Sequence, residues 1–126
     1  MTVSRQPSDF ATFSNAVAVD GPGKWIYVSG QVAMGDDGKA IDGNVAEQTE
    51  AILDRIEELL GNDGANLSNV VKITTYLKSL DESSEFSRVR GERFGDTLPA
   101  SAAYAVADLL VGAAVEIEAV AFVPQS

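Results

Sequence analysis

A run near the C-terminus restricts the fold most, because its residues alternate strictly in character. One set consists of Val115, Ile117, Ala119 and Ala121, and the other of Glu116, Glu118, Val120 and Phe122. Since successive side chains of a strand point to opposite faces of a sheet, the pattern predicts a strand with one fully apolar face. Helices can cover that face. The second face needs a neighbouring subunit or remains wetted in a monomer.

A helical periodicity follows Asn44. Asn44 and Glu47 have the spacing of a capping box, which predicts the start of a helix. Apolar residues then recur on one face with acids away from it, and Gly61 is suited to end the helix in a left-handed conformation. The apolar positions are Ile52, Leu53, Ile56, Leu59 and Leu60.

Strand-like segments surround this helix, and a second helix lies among them. Strands are predicted at 15–19, 24–31, 70–78, 102–106 and 115–123, with a further short strand near 33–41. The second helix is predicted to be capped by Asp81, Ser83 or Ser84, to have Phe86, Val89 and Phe94 as its apolar spine, and to close at Gly95. The order ββαβαββ is typical of an α+β fold, a sheet carrying two helices on one face, in a single domain over residues 1–126.

Charge and composition exclude several classes of function. The formal net charge of −10 repels phosphate backbones and anionic membrane surfaces. The absence of Cys and His removes thiolate metal sites, thiol nucleophiles and the commonest general base. No apolar run approaches the roughly 20 residues that a membrane helix needs. We therefore expect a cytoplasmic protein without nucleic-acid or membrane partners and without a metal or other cofactor.

Several short motifs resemble the Rid (YjgF-type) family over nearly the whole chain. They are 11–17, Val28-Ser29-Gly30-Gln31, the capped helix with Glu47-Gln48-Thr49, Phe94-Gly95 before Pro99-Ala100, and Glu116 fifteen residues after Ser101. The resemblance implies a chorismate mutase-like α+β fold with a mixed sheet. It also implies a homotrimer that binds a small-molecule ligand in a cleft at each subunit interface. The best-studied branch of the family hydrolyses reactive imines and enamines of amino-acid metabolism.

The resemblance further implies which residues line the cleft. Glu116 aligns with the family glutamate that holds or activates the hydrolytic water. From the residues alone, a solvent-facing strand acid or an interface salt-bridge partner stays open for Glu116. Gly30 would permit close approach of a ligand, or would form a β-bulge. The implied binding residues are Phe13, Ser29, Gly30, Ser87, Ser101 and Ala103.

Ser101 is the main departure from the family pattern. The deaminase branch has an arginine there, whose forked donors pair with the substrate carboxylate, whereas a serine hydroxyl offers one donor and no charge. Phe13 and Ser87 replace a tyrosine and an asparagine. We expect weak or no hydrolysis of 2-imino acids. Alternatively, Ser101 is a small residue that merely fits its position.

Three arginines lie on the second helix. Pairing with surface acids such as Glu85 and Glu92 is the expected role of Arg88, Arg90 and Arg93, and substitution of the missing guanidinium by Arg93 is the alternative.

Three functions stay open. The first is a divergent hydrolase of small imines, enamines or related metabolites, with Glu116 handling water. The second is a non-catalytic trimer that binds a small molecule or regulates a partner. The third, an endoribonuclease, is disfavoured by the acidic charge and the lack of His.

Overall fold

The computed structural model describes residues 3–125. Eight main elements follow one another in the order βββαβαββ, joined by short 3₁₀ turns at Leu67–Asn69, Leu80–Glu82 and Leu110–Gly112. The strands are β1 Val3–Pro7, β2 Ser14–Val19, β3 Gly23–Gln31, β4 Val70–Leu77, β5 Ala100–Ala105 and β6 Val115–Pro124, and the helices are α1 Val45–Gly61 and α2 Ser83–Phe94.

The six strands form one mixed sheet in the order β1-β2-β5-β4-β6-β3. Strand β5 runs parallel to both of its neighbours, β2 and β4. The remaining pairs, β1 with β2, β4 with β6 and β3 with β6, are antiparallel. Buried residues of both helices and of one sheet face, such as Ile73 and Ile117, form a common core. The predicted α+β architecture with a mixed sheet and two helices is confirmed.

The alternation of β6 is confirmed for most of its length. Its small apolar residues are buried, whereas Glu116, Glu118 and Val120 on the opposite face are half-buried. Phe122 departs from the pattern because it is buried beside Trp25, with the ring centroids 4.9 Å apart. No helix of residues 3–125 covers the face that carries Glu116 and Glu118. We call it the open face.

The capping box of α1 is also confirmed. The Asn44 side chain accepts from the Glu47 amide, and the Glu47 carboxylate accepts from the Asn44 amide. The predicted left-handed end at Gly61 is wrong, because Gly61 is still helical and the positive φ of 77° falls on Gly64 in the following turn.

Three other boundaries differ from prediction. Strand β1 was not predicted, since its sequence lacks an apolar alternation. The short strand near 33–41 is reduced to one bridge between Met34 and Ala40. The predicted side-chain cap of α2 is wrong, because Glu82 occupies the N-cap position without a capping hydrogen bond. The predicted end of α2 at Gly95, with φ of 56°, is correct.

The helices of residues 3–125 include none that is both long enough and apolar enough to cross a membrane.

Candidate functional site

Most of the residues that the sequence singles out fall into two groups in the chain. Phe13, Ser87 and Ser101 lie around Arg90 of α2, and Thr12 joins them. We call these five residues the Arg90 cluster. Ser29, Gly30 and Glu116 lie together where β3 meets β6, and we call them the Glu116 group.

The register of β5 explains why Ser101 faces the helices. Ser101 is opposite Ile73 of β4, and Ile73 is buried in the core beneath the helices. Paired residues of neighbouring strands present their side chains on the same face of a sheet. Ser101 therefore points towards α2. Ala103, two residues further along, lies on the same face but is exposed.

Arg90 holds the cluster together through three hydroxyl groups. Its Nε donates to Thr12 Oγ1 at 3.1 Å, its Nη1 donates to Ser101 Oγ at 3.0 Å, and its Nη2 donates to Ser87 Oγ at 3.2 Å. Arg90 is only 6% exposed. A deeply buried guanidinium is thus bound by neutral oxygen atoms.

Two aromatic rings complete the surroundings of this guanidinium. Its carbon lies 4.9 Å from the ring centroid of Phe86 and 5.3 Å from that of Phe13. Such distances allow an attraction between the cation and the ring faces. Phe13, where many family members have tyrosine, therefore packs against a cation.

The charge of Arg90 lacks a carboxylate partner among residues 3–125, whereas Arg88 pairs with Glu85 and Glu92. Burial lowers the pKa of Arg90 to about 10, so the side chain stays protonated at neutral pH. An unpaired buried charge is unfavourable, and most buried charges have an opposite charge beside them. This imbalance marks the Arg90 cluster as a candidate site for an anionic group.

The predicted roles of the three arginines are revised accordingly. Pairing with surface acids is confirmed for Arg88 and Arg93. It is wrong for Arg90, which bonds to the cluster hydroxyls instead. The suggestion that Arg93 replaces the missing guanidinium is disfavoured, because Arg93 is bound to acids of α1, at 2.8 Å from Glu50 and 2.9 Å from Asp54.

The Glu116 group is built around a β-bulge. Val28 is opposite Ala119 and Gln31 is opposite Ile117, so that Ser29 and Gly30 together face a single residue of β6. The bulge interpretation of Gly30 is confirmed.

Gly30 lies against the Glu116 carboxylate. A Cβ atom on residue 30 would lie only 3.0 Å from Glu116 Cδ. The absence of a side chain at Gly30 thus leaves room for the carboxylate, which lies half-buried on the open face. The neighbouring acid, Glu118, accepts a hydrogen bond of 2.9 Å from the Tyr76 hydroxyl, and this bond raises the pKa of Tyr76. Glu116 is the carboxylate of this group that could accept a proton from water.

The two groups do not converge within one chain. Glu116 is paired with Tyr76 on the open face, whereas Ser101 is paired with Ile73 on the face under the helices. Strand β4 also separates β5 from β6. The acid and the hydroxyl cluster therefore lie on opposite faces of one sheet.

Sequence reasoning missed Arg90 and Thr12 as site residues. A signal for Arg90 was present, because positions 86, 89 and 90 fall on one helical face. Arginine is seldom buried, which favoured a surface role. Thr12 comes from an irregular segment before β2, and only the tertiary contact with α2 identifies it.

Comparison with known proteins gives consistent matches along the chain. The family model described as endoribonuclease L-PSP matches residues 3–123. A RutC family protein of Pyrococcus abyssi is 34% identical over 94% of this chain and 91% of its own. A 2-iminobutanoate/2-iminopropanoate deaminase of Rattus norvegicus is 37% identical over 96% of this chain and 87% of its own.

Solved structures agree with these matches. The structure of RidA from an Antarctic Psychrobacter species has a TM-score of 0.75 and 27% identity, covering 98% of this chain and 99% of that one. A Mycobacterium tuberculosis member of the YjgF/YER057c/UK114 family has a TM-score of 0.71 and 30% identity, covering 96% of this chain and 99% of that one. The chain belongs to the Rid family.

Proposed function

We propose that this protein binds and hydrolyses a small imine, enamine or related metabolite in clefts between the subunits of a homotrimer, with weak activity on 2-imino acids. Curated relatives carry the name of a 2-imino acid deaminase, which supports chemistry at a carbon–nitrogen double bond. The missing arginine at position 101 argues for reduced binding of a substrate carboxylate.

The separation of Glu116 from Ser101 carries the proposal that the cleft lies between subunits. Since the two residues lie on opposite faces of the sheet in one subunit, a cleft that uses both needs residues from a second copy. The open face supports this assembly, because Tyr27 and Tyr104 are 77% and 54% exposed on a sheet without a covering layer. A neighbouring subunit would bury them.

In the proposed reaction, Glu116 accepts a proton from a water molecule as the water oxygen attacks the imine carbon. The carbon–nitrogen bond then breaks, and the nitrogen leaves as ammonia after taking up protons, which gives a carbonyl product. Ser101 contributes a hydroxyl donor on the substrate side. Backbone groups at Ser29 and Gly30 would line the cleft.

The first test is hydrolysis by Glu116→Gln, with Glu118→Gln as the matched control on the same strand and face. Imines are generated in situ from amino acids and, separately, from amines without a carboxylate. We expect Glu116→Gln to lose most of the hydrolysis and Glu118→Gln to keep it. An unchanged rate for Glu116→Gln would favour the non-catalytic binding function.

The second test is the mass in solution. Light scattering should give about three times the chain mass of 13.3 kDa. A monomer at micromolar concentration would exclude the intersubunit cleft.

A further inference from the structure

One hydroxyl group of the Arg90 cluster donates no hydrogen bond to residues 3–125. Thr12 Oγ1 donates its proton to the Ser87 carbonyl oxygen, so the 2.9 Å contact between the Thr12 and Ser87 hydroxyls must use the Ser87 proton. Both of these protons stay within the cluster. Ser101 Oγ accepts from Arg90 and has no acceptor for its own proton among residues 3–125.

The orientation of the Ser101 hydroxyl follows from this arrangement. Because an Arg90 N–H occupies one lone pair of Ser101 Oγ, the hydroxyl proton points away from the guanidinium. Ser101 is half-buried, so part of this residue reaches the protein surface. The positive charge behind the oxygen makes Ser101 a stronger donor than an isolated serine.

We propose that Arg90 is a positioning residue that acts through the Ser101 hydroxyl and gives the cleft a preference for a small carboxylate over a neutral group of the same shape. The proposal rests on the proposed cleft and names the ligand class that its Ser101 side takes. The guanidinium stays buried, and the ligand oxygen contacts Ser101.

Charge accounts for the preference. A ligand oxygen bound to Ser101 would lie about 5–6 Å from the guanidinium, where an anion at effective dielectric constants of about 20–40 gains on the order of 10- to 100-fold in affinity. No carboxylate among residues 3–125 of the same subunit pairs with Arg90, so this attraction is not satisfied within one subunit. A single hydroxyl donor is still weaker than the two parallel donors of an arginine fork. The site is therefore selective for carboxylates and binds them with modest affinity.

The test compares the binding of 2-oxobutanoate and 2-oxobutanamide, which differ in charge but hardly in shape, by calorimetry on the intact oligomer. For Arg90→Met we expect the ratio of carboxylate to amide affinity to fall 10- to 100-fold. Ser101→Ala should reduce the ratio similarly, and Ser101→Thr, which keeps a hydroxyl, should restore it. Arg88→Met is the matched control, because it removes a charge from the same helix without touching the cluster.

Each outcome separates this proposal from the proposed function. If the wild type binds both probes without preferring the carboxylate, the role of Arg90 is refuted while the cleft stands. If it binds neither probe, the cleft on which both proposals depend is refuted. If Arg90→Met loses the preference but Ser101→Ala keeps it, Arg90 contacts the ligand directly and the path through Ser101 is wrong. Ser101→Ala still decides if Arg90→Met fails to fold.

Discussion

Replacing Ser101 with arginine should destabilise this protein, although it restores the residue that the deaminase branch of the family has there. The reason is that a guanidinium already stands behind position 101. Arg90 Nη1 lies 3.0 Å from Ser101 Oγ, and Arg90 is buried against two aromatic rings. A second guanidinium would enter a site to which residues 3–125 of the same chain contribute no carboxylate partner.

The magnitude follows from two terms. Two guanidinium groups about 5–6 Å apart repel by about 1.5–3 kcal/mol at effective dielectric constants of about 40 and 20. Loss of the Ser101 acceptor leaves a buried Arg90 N–H unsatisfied, which costs about 1–3 kcal/mol. We therefore expect Ser101→Arg to lower the free energy of unfolding by about 2.5–6 kcal/mol, a large part of the total stability of a small domain.

Urea unfolding of a double-mutant cycle measures this effect. Arg90→Met removes both terms, so the double variant Arg90→Met/Ser101→Arg should be more stable than Ser101→Arg by at least about 2.5 kcal/mol. The control Arg88→Met/Ser101→Arg removes an exposed arginine and should match Ser101→Arg within about 0.5 kcal/mol. The Arg90→Met/Ser101→Arg protein should also bind 2-oxobutanoate more tightly than the wild type, because the guanidinium of the cluster then belongs to residue 101 on β5.

Two results would refute this reasoning. Wild-type stability of Ser101→Arg would mean that the new side chain avoids Arg90. Equal rescue of Ser101→Arg by Arg90→Met and by Arg88→Met would mean that general charge, rather than the contact at position 101, sets the loss.

Three glycine variants give further predictions. Gly91→Ala should lower stability by about 1–3 kcal/mol despite the better helix propensity of alanine, because its Cβ would lie 2.6 Å from Thr12 Cγ2. Gly61→Ala is the control, since no atom lies within 4 Å of its Cβ, and urea unfolding should show a gain of up to about 1 kcal/mol. Gly30→Ala should displace the Glu116 carboxylate and lower turnover on a confirmed substrate with little change in melting temperature. Full activity of Gly30→Ala would contradict the role given to Glu116.

The amino-acid sequence was sufficient to predict those elements that a pattern of neighbouring residues defines. The capping box at Asn44 and the alternation of β6 depend on residues within one element, and the structure reproduces them. Strand β1 is different, because it is held by its pairing with β2 and by Arg5, whose guanidinium donates to the carbonyl oxygens of Ser68, Val70, Thr97 and Leu98. These contacts span more than sixty residues of sequence. No local pattern could predict them.

The candidate site also combines features that local sequence predicts with features that depend on tertiary contacts. The bulge at Gly30 and the position of Glu116 follow from a short motif and an alternating strand. The Arg90 cluster depends on bringing a segment before β2, a helix and a strand to one point. Sequence comparison at position 101 alone indicates that a cation is missing. The structure places a cation 3.0 Å behind that position.

A departure at one position can therefore be judged only with its spatial neighbours. Serine at position 101 and arginine at position 90 form one unit, since the hydroxyl accepts from the guanidinium and the guanidinium orients the hydroxyl. Replacing Ser101 alone with arginine leaves an Arg90 N–H without an acceptor and places two guanidinium groups side by side. Replacing Arg90 as well leaves one cation, which then lies on the strand instead of the helix. In the first arrangement, an arginine at position 101 offers a carboxylate two parallel donors. In the second, Ser101 offers a single hydroxyl donor, with the Arg90 charge on its far side. Weaker binding with retained selectivity is the physical consequence of the second arrangement.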